Sequence, residues 1–269
     1  MLKRSVGAVT NLFLLVLVVI ALLPFLFMLL TGIQESDTVS LAFDPERLRL
    51  DNFVRLFTDY GFARALISSV VVVVLACVVN LVVSSLAAFA FAKKPFPGSE
   101  ALFWVYIATM MVPVQVTLIP LFVIVRELGL LNTQIALILP IINAFGVFLI
   151  RQFMSTVPDE LLEAARIDGA RDAQIFVSVV LPLIRPVLVA LTVFTFVTTW
   201  NDFLWPLVVI SDESMQTVTL AAARLQDRFV TDYGLVMAGA TVAFLVPFLV
   251  YLLLQRQFVQ GVASVGLKG

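Results

Sequence analysis

Histidine is absent from the 269 residues of this chain, and cysteine occurs only once, as Cys77. Without histidine, Ser-His-Asp catalysis, histidine-ligated zinc and histidine-ligated haem are excluded. A single cysteine inside an apolar run excludes a disulfide framework and a cysteine metal site. We therefore expect no metal site in this chain.

Charged residues are also scarce, at 13% of the sequence, whereas soluble domains carry roughly 25%. Hydrophobic residues make up 61%, and the mean hydropathy is +1.08. Such a chain would expose far more apolar surface than water tolerates, which predicts a polytopic helical membrane protein. The net charge of −1 and the lack of a basic tail give no indication of nucleic-acid binding.

The phosphate-binding pattern G-x-x-x-x-G-K-[ST] occurs nowhere in the sequence. Carboxylates shielded as a pair, and a nucleophile next to a base, are missing from it as well. We therefore expect neither catalytic residues nor a cofactor in this chain, and no ATP site of the phosphate-loop type.

Six apolar runs are long enough to cross a bilayer as helices, which takes about 20 residues. The first is about 28 Å long as a helix and exceeds the apolar core of a secretory signal, so we interpret it as a retained span. Pro113 and Pro120 are expected to break the third run, and Pro140 and Asn143 lie near the middle of the fourth. The sequence thus predicts an all-α membrane protein with six transmembrane helices in one domain, residues 1–269. The predicted spans cover about residues 12–31, 66–92, 101–125, 133–150, 186–210 and 236–254.

The distribution of lysine and arginine predicts which side of the membrane each loop faces. With the N-terminus inside, ten of the 17 basic residues lie in inner segments and seven in outer ones. The pairs Lys3-Arg4 and Lys93-Lys94 give the clearest local indication. We therefore expect both termini, and the segment 151–185, to lie in the cytoplasm.

Residues 151–185 form a charged stretch between the fourth and fifth apolar runs, and this stretch is predicted to be helical. Thr156 is expected to cap a first helix over 158–168, and Gly169 is expected to end it. A second helix from about Arg171 to Val180 then leads back to the fifth span.

The helix 158–168 has two distinct faces. Acids in its first turn favour the positive end of the helix dipole. A short two-faced helix that is tied to a span can act as a lever, although an ordinary loop that packs on neighbouring spans is an equal alternative. The apolar face comprises Leu161, Leu162 and Ala165, and the other face comprises Glu160, Glu163 and Ile167.

This segment also carries a recognisable motif. It consists of Glu163-Ala164-Ala165, Asp168-Gly169-Ala170, Leu181-Pro182-Leu183 and Pro186. The motif resembles, without a gap, the EAA signature of binding-protein-dependent ATP-binding-cassette (ABC) importers, and it lies in the expected loop of the expected topology.

The resemblance extends over essentially the whole chain, which is similar to the maltose-type inner-membrane subunits of the carbohydrate-uptake subfamily. The stretches that carry it are Asn52-Phe53, Leu56-Phe57, Met111 to Phe122, Leu128-Gly129-Leu130, Asn132-Thr133, Trp200-Asn201-Asp202 and the tail from Gln255 to Gly269.

The resemblance implies a type I ABC importer permease fold, and a permease for a sugar or oligosaccharide in a bacterial or archaeal cytoplasmic membrane. It implies as partners a second homologous permease, two ATPase subunits that hold ATP and Mg, and an extracytoplasmic sugar-binding protein or lipoprotein. By the same resemblance, helix 158–168 is the coupling helix that docks on one ATPase, Glu163 pairs with a basic residue there, and the tail reaches the ATPase dimer interface. The coupling residues are Glu163, Ala164, Ala165, Asp168, Gly169 and Ala170.

Polar side chains inside a span are costly, so they are candidates for a solute pathway or for helix contacts. In the fifth span, Thr195, Thr198, Thr199 and Asp202 share one helical face. The candidate pathway residues are Gln115, Asn143, Thr199, Asn201 and Asp202.

Other residues of the spans can be interpreted without contact to a solute. Trp200 and Trp205 either stack on sugar rings or belong to the aromatic belt at the membrane interface. Asn80, Ser84 and Ser85 in the second span are interpreted as contacts between helices.

Three other functions are compatible with parts of the sequence. An importer for glycerol phosphate or another non-sugar solute shares the EAA motif. An ion-coupled secondary transporter predicts internal repeats and ionisable residues at the midplane, whereas Asp202 is the sole ionisable candidate and lies off centre. A structural membrane anchor for an ATPase complex is the third alternative.

Overall fold

The computed structural model is helical in almost every part of the chain that it describes. Its α-helices are α1 Leu2–Gly32, α2 Asp51–Thr58, α3 Phe62–Lys93, α4 Ser99–Ala108, α5 Val114–Glu127, α6 Gln134–Ile138, α7 Ala144–Met154, α8 Asp159–Ile167, α9 Asp172–Ile175, α10 Leu181–Leu183, α11 Arg185–Trp200, α12 Leu204–Val209, α13 Val218–Arg228 and α14 Tyr233–Gly266. The described backbone covers residues 2–34, 48, 50–228 and 232–266, and the described side chains lie within 10–34, 48, 50–226 and 232–255.

Two compact units make up the chain, and α3 and α14 each contribute to both. The first consists of Met1–Leu66 and Val218–Val246, and the second of Ile67–Thr217 and Pro247–Gly269. The side chains of the tail beyond Gln255, which the EAA resemblance directs to the ATPase interface, lie outside the described residues.

In the first unit, α1 and α14 lie against each other. A Cβ on Gly32 would be 3.0 Å from the backbone nitrogen of Ala238, so the absence of a side chain permits this close approach. The rings of Phe25 and Phe244 stack with their centroids 4.4 Å apart. Residues 10–26 of α1 are exposed, so this apolar surface needs lipid or another subunit to cover it.

The polar helix α2 is also held in the first unit by specific bonds. The buried amide of Asn52 donates to the carbonyls of Gly32 and Gln34 at 3.1 and 2.9 Å. Arg55 forms an ion pair of 3.0 Å with Asp232. Burial lowers the pKa of Arg55, but its hydrogen bonds with Asp232 and Tyr60 outweigh that effect, and the net pKa is raised. These contacts hold α2 in place through its polar side chains.

Three helices are each long and apolar enough to cross a membrane, namely Thr10–Gly32, Phe62–Lys93 and Tyr233–Gln255. Three bent pairs also qualify when each pair is taken as one span, so the described residues supply up to six spans. This agrees with the predicted number. The pairs are Ser99–Met111 with Val114–Glu127, Gln134–Ile141 with Ala144–Met154, and Asp172–Leu183 with Arg185–Trp200.

The bends modify the expected third span. It turns by 103° between Met111 and Val114. Val112 has an extended backbone, as the residue before a proline prefers, and Pro113, which has no amide donor, occupies the cap position before α5. Pro120, by contrast, lies inside α5, which continues past it. One of the two expected breaks therefore occurs.

The second unit is joined by a small buried polar cluster. The amide of Asn80 on α3 donates to the Thr195 hydroxyl on α11 at 2.9 Å, and the Ser84 hydroxyl donates to the Asn80 carbonyl oxygen at 2.9 Å. Gly146 on α7 lies against the same pair, and a Cβ there would be 3.1 Å from the Asn80 oxygen and closer still to the Ser84 hydroxyl. The interpretation of Asn80 and Ser84 as helix contacts is confirmed.

The packing at Gly146 generates a prediction. Gly146→Ala should destabilise the protein by about 1–3 kcal/mol, because the added methyl group overlaps the Ser84 hydroxyl. The midpoint of thermal unfolding in detergent measures the effect. Ser84→Gly in the same chain should restore most of the loss. Ser85→Gly, at a position about 100° further round α3, is the matched control and should restore none. Equal stability of Gly146→Ala and the parent would contradict the packing described here.

Candidate coupling segment and solute cavity

The expected coupling helix is α8. It runs from Asp159 to Ile167, with Pro158 and Asp168 at its two cap positions, so its bounds match the predicted 158–168. Gly169 has a φ of +83°, a conformation that side chains disfavour. The amides of Gly169 and Ala170 bond back to the carbonyls of Arg166 and Ala165, which is a Schellman motif. Gly169 therefore ends the helix, as predicted.

Thr156 does not cap this helix, which corrects the expectation. Its hydroxyl donates instead to the carbonyl of Phe153, at 2.8 Å. Because α7 extends to Met154 and the chain then turns, Thr156 completes the end of α7, and Pro158 occupies the cap position of α8.

One face of α8 is fixed in its own subunit. Leu162 is 2% exposed and packs in an apolar cluster with residues of α3, α7, α9 and α11, and Ala165 and Ala170 pack against the same cluster. Burying a leucine in this way stabilises a structure by about 1.5–3 kcal/mol. Leu161, which was expected on this face, is 44% exposed, because it lies about 100° away from Leu162 around the helix.

The opposite face of α8 is open. Glu163, Ala164, Asp168 and Gly169 are exposed, and Ile167 is 87% exposed. The open face of α8 therefore offers a partner an apolar contact at Ile167, with acidic side chains beside it. The six predicted coupling residues are thus divided between the open face and the buried one.

The second helix of the segment is less regular than predicted. It consists of α9, a π-helical turn over Phe176–Val180 and α10. The wide turn lies just before Pro182, whose ring would clash with the carbonyl four residues earlier in a regular helix. Gln174 stabilises the start of α9 by accepting a hydrogen bond of 2.8 Å from the Arg171 amide.

A cavity of about 240 Å³ lies among α3, α5, α6, α11 and α12 in the second unit. It contains the four residues that were predicted to share a helical face. Its polar lining comprises Asn80, Thr117, Asn143, Thr195, Thr198, Thr199, Asp202 and Thr217.

Two of the predicted pathway residues in this cavity occupy starts of helices. Asn143 accepts from the amides of Phe145 and Gly146 at the N-terminus of α7, at 3.1 and 3.4 Å. Asp202 accepts from the Trp205 amide in the first turn of α12, at 3.3 Å. Each break in the helix would otherwise leave amides without partners, so these side chains have a structural role as well as a position in the cavity.

The structure does not place every predicted pathway residue in the cavity. Thr199 lines it, but Gln115 and Asn201 do not. Gln115 is exposed on α5, and Asn201 donates to the carbonyl of Val197 at 2.9 Å. Thr117, which the sequence reasoning missed, lines the cavity instead of Gln115, because residues two apart on a helix point about 200° apart.

Trp200 and Trp205 are both buried, so neither offers a ring face on the surface of the chain. Trp200 is 3% exposed and stacks on Phe196, and Trp205 is 6% exposed and donates its indole N–H to the Ala136 carbonyl at 2.8 Å. Trp205 does line the cavity, with its polar end already bonded.

Comparison with known proteins identifies the family to which a chain with this arrangement belongs. The model of the family described as "Binding-protein-dependent transport system inner membrane component" matches residues 80–264, which is more than half of the chain. An arabinooligosaccharides transport system permease protein from Halalkalibacterium halodurans is 35% identical over 261 residues, covering 93% of this chain and 92% of the relative. An sn-glycerol-3-phosphate transport system permease protein from Pectobacterium atrosepticum is 38% identical over 206 residues, covering 76% of this chain and 73% of the relative.

Among solved structures, a chain of a bacterial ABC transporter involved in the import of the acidic polysaccharide alginate shares the fold. Its TM-score is 0.80, with 23% identity, and the match covers 95% of this chain and 97% of that one. Since the family model and the relatives cover most of the sequence, the chain belongs to the binding-protein-dependent transport system inner membrane components, and its fold is that of a type I ABC importer permease.

Proposed function

We propose that this chain is a permease subunit of an importer for a sugar or oligosaccharide, driven by partner ATPases through α8. The observation that carries the proposal is the two-sidedness of α8. Leu162 fixes one face to the spans, while Glu163 and Ile167 leave the other face open to a partner. A partner that moves α8 therefore moves the apolar cluster beneath it.

The energy source lies on other chains in this proposal. ATP and Mg bind to two ATPase subunits, since the sequence has no phosphate-loop pattern. When the ATPases close on ATP, they draw the coupling helices together, the spans rotate and the pathway opens toward the binding protein. Hydrolysis resets the pathway. Coupling at α8 thus links the ATP cycle to alternating access.

A second permease subunit completes the pathway. The cavity of about 240 Å³ is smaller than the roughly 300–1,000 Å³ of typical ligand pockets, so it contacts part of an oligosaccharide at most. Met111 and Ile119, next to the third-span bend, are 84% and 72% exposed. Apolar side chains so exposed suit a contact with a second subunit or with lipid.

The lining of the cavity favours a neutral solute over glycerol phosphate. Hydroxyl and amide groups line it, and among its described lining residues the sole ionisable side chain is Asp202. A phosphate ester calls for arginine or lysine, whereas sugar hydroxyls bond readily to threonine, asparagine and aspartate. Glycerol phosphate remains the alternative solute, because the permease from Pectobacterium atrosepticum is similar to this chain.

In this proposal the chain forms one domain in the cytoplasmic membrane, and both of its termini lie in the cytoplasm. Lys93 contacts Asp159, so the turn after α3 and the coupling segment lie on the same side. The excess of lysine and arginine in these segments favours the cytoplasm for that side.

Reversal of charge at the open face tests the coupling assignment. Glu163→Lys should lower uptake and substrate-stimulated ATP hydrolysis by at least about tenfold, a loss of about 1.4 kcal/mol in coupling, while the subunit still inserts. Both rates are measured with the reconstituted importer. Glu127→Lys, an exposed acid on α5, is the matched control and should behave like the parent. Normal transport by an assembled Glu163→Lys importer would refute the assignment.

Removal of the Thr199 hydroxyl tests whether the lining of the cavity contacts the solute. Thr199→Val keeps the side-chain shape and should raise the KM of uptake about two- to tenfold, as expected for one lost hydrogen bond. Thr192→Val is the control, because the Thr192 hydroxyl bonds to the Leu188 carbonyl and does not line the cavity. If both variants had the parent's KM, Thr199 would not contact solute.

The source of energy for uptake distinguishes an ATP-driven importer from an ion-coupled secondary transporter. Collapse of the membrane potential at constant ATP should leave uptake into proteoliposomes unchanged, because ATP binding and hydrolysis supply the energy. Loss of uptake under these conditions would favour the secondary transporter instead.

A further inference from the structure

Two consecutive lysines at the end of α3 contact the coupling segment at two points, the start of α8 and the start of α9. Lys93 is the last residue of α3, and its side chain is only 4% exposed. Its ammonium group donates to the Val157 carbonyl at 2.6 Å and to the Asp159 carboxylate at 2.7 Å. Lys93 therefore fixes the point at which the chain enters α8.

The next residue contacts the segment just after α8. Lys94 forms an ion pair of 2.5 Å with Asp172, the first residue of α9. Arg166, in the last turn of α8, lies 4.0 Å from the same carboxylate. Two consecutive lysines thus hold the beginning of α8 and the beginning of α9.

The far end of the same turn is also attached. Glu100, in the first turn of α4, pairs with Arg151 of α7 at 2.8 Å. The guanidinium of Arg151 lies 3.7 Å from the centroid of the Phe103 ring. The turn therefore joins α3, α4 and α7 to the coupling segment through charged groups.

These pairs differ in what they contribute. The ammonium of Lys93 is nearly buried, and removal of a partner would leave an uncompensated charge, which is costly. The side chains of Lys94 and Asp172 are 37% and 57% exposed, and a pair of that kind stabilises a fold by only about 0.2–1 kcal/mol. Charge reversal at Lys94 or Asp172 thus changes the attachment without removing a buried group.

We propose that Lys93 and Lys94 are positioning residues that make α3 move with α8, so that ATPase motion reaches the cavity through α3 as well as through α11. This rests on the proposed function. The link is continuous, because α3 also carries Asn80, which lines the cavity and bonds to Thr195. Asn80 and Lys93 lie 13 residues apart on one helix, about 20 Å at helical rise.

Charge reversal and exchange at the exposed pair test the proposal. Lys94→Asp and Asp172→Lys are made singly and together in the complete importer in proteoliposomes, and uptake and ATP hydrolysis are measured on the same samples. Each single variant should retain its ATPase subunits and raise the number of ATP molecules hydrolysed per solute by about three- to tenfold. The double variant, in which the pair is restored with opposite polarity, should return this ratio to within about twofold of the parent. Glu127→Lys, which changes the net charge by the same amount and sign as Asp172→Lys, is the net-charge control for that variant.

The number of ATP molecules hydrolysed per solute decides the proposal. An unchanged ratio in both single variants overturns the proposal, whether uptake is intact or falls together with hydrolysis, because the pair then serves folding alone. A raised ratio that the double variant does not restore also overturns it. If a reversal prevents assembly, the single variants Lys94→Gln and Asp172→Asn are measured in its place. Each should raise the ratio about three- to tenfold, and an unchanged ratio in both would overturn the proposal.

A second measurement does not depend on transport. Lys93→Gln in the assembled complex should speed hydrogen–deuterium exchange of the amides in residues 159–172 by at least about threefold, since the start of α8 loses its ion pair to α3. Unchanged exchange would overturn the role of Lys93, even if the parent importer carried no sugar. Failure of the parent to take up sugar, with faster exchange in Lys93→Gln, would refute the proposed function and leave the attachment established.

Discussion

Inside a bilayer, a broken helix has to satisfy its backbone groups without water. Helices break at residues 112–113, 142–143 and 201–203, and at each break either a side chain accepts from the amides that follow or a proline lacks the amide that would need a partner. Pro113 removes a donor, while Asn143 and Asp202 accept from the amides of the helices that follow. The position of the cavity depends on these breaks, because Asn143 and Asp202 both line it.

This constraint changes how the polar residues of the spans are understood. A polar side chain within a span suggests contact with solute, yet most of those here already have a partner within the chain. Thr198 bonds to backbone carbonyls, and Asn80 bonds to Thr195. A solute in the cavity would therefore meet a lining whose orientation is already set by the helix ends, which is the kind of preorganisation that gives a site its selectivity.

Residues far from the cavity that carried the family resemblance also have physical reasons for their identity. Asn52 joins α2 to the end of α1. Asn132, with a φ of +58°, accepts from the amides of Ser211 and Asp212 at 2.7 and 2.9 Å, and Thr133 caps α6. These side chains hold loops in place, so the similarity outside the EAA segment reflects structural requirements at least as much as contact with a particular sugar.

The sequence by itself determined the helical membrane class, the number of spans, the position of α8 and its end at Gly169. Hydrophobic length, proline and glycine act locally and can be read residue by residue. Only the tertiary structure decided that α5 presents Thr117 rather than Gln115 to the cavity, that Thr156 belongs to α7, and that Trp200 and Trp205 are buried. It also decided that Lys93 and Lys94 contact Asp159 and Asp172, which are 66 and 78 residues further along the chain. These outcomes depend on the direction of each helix after a bend and on which faces then meet, and no local pattern encodes that geometry.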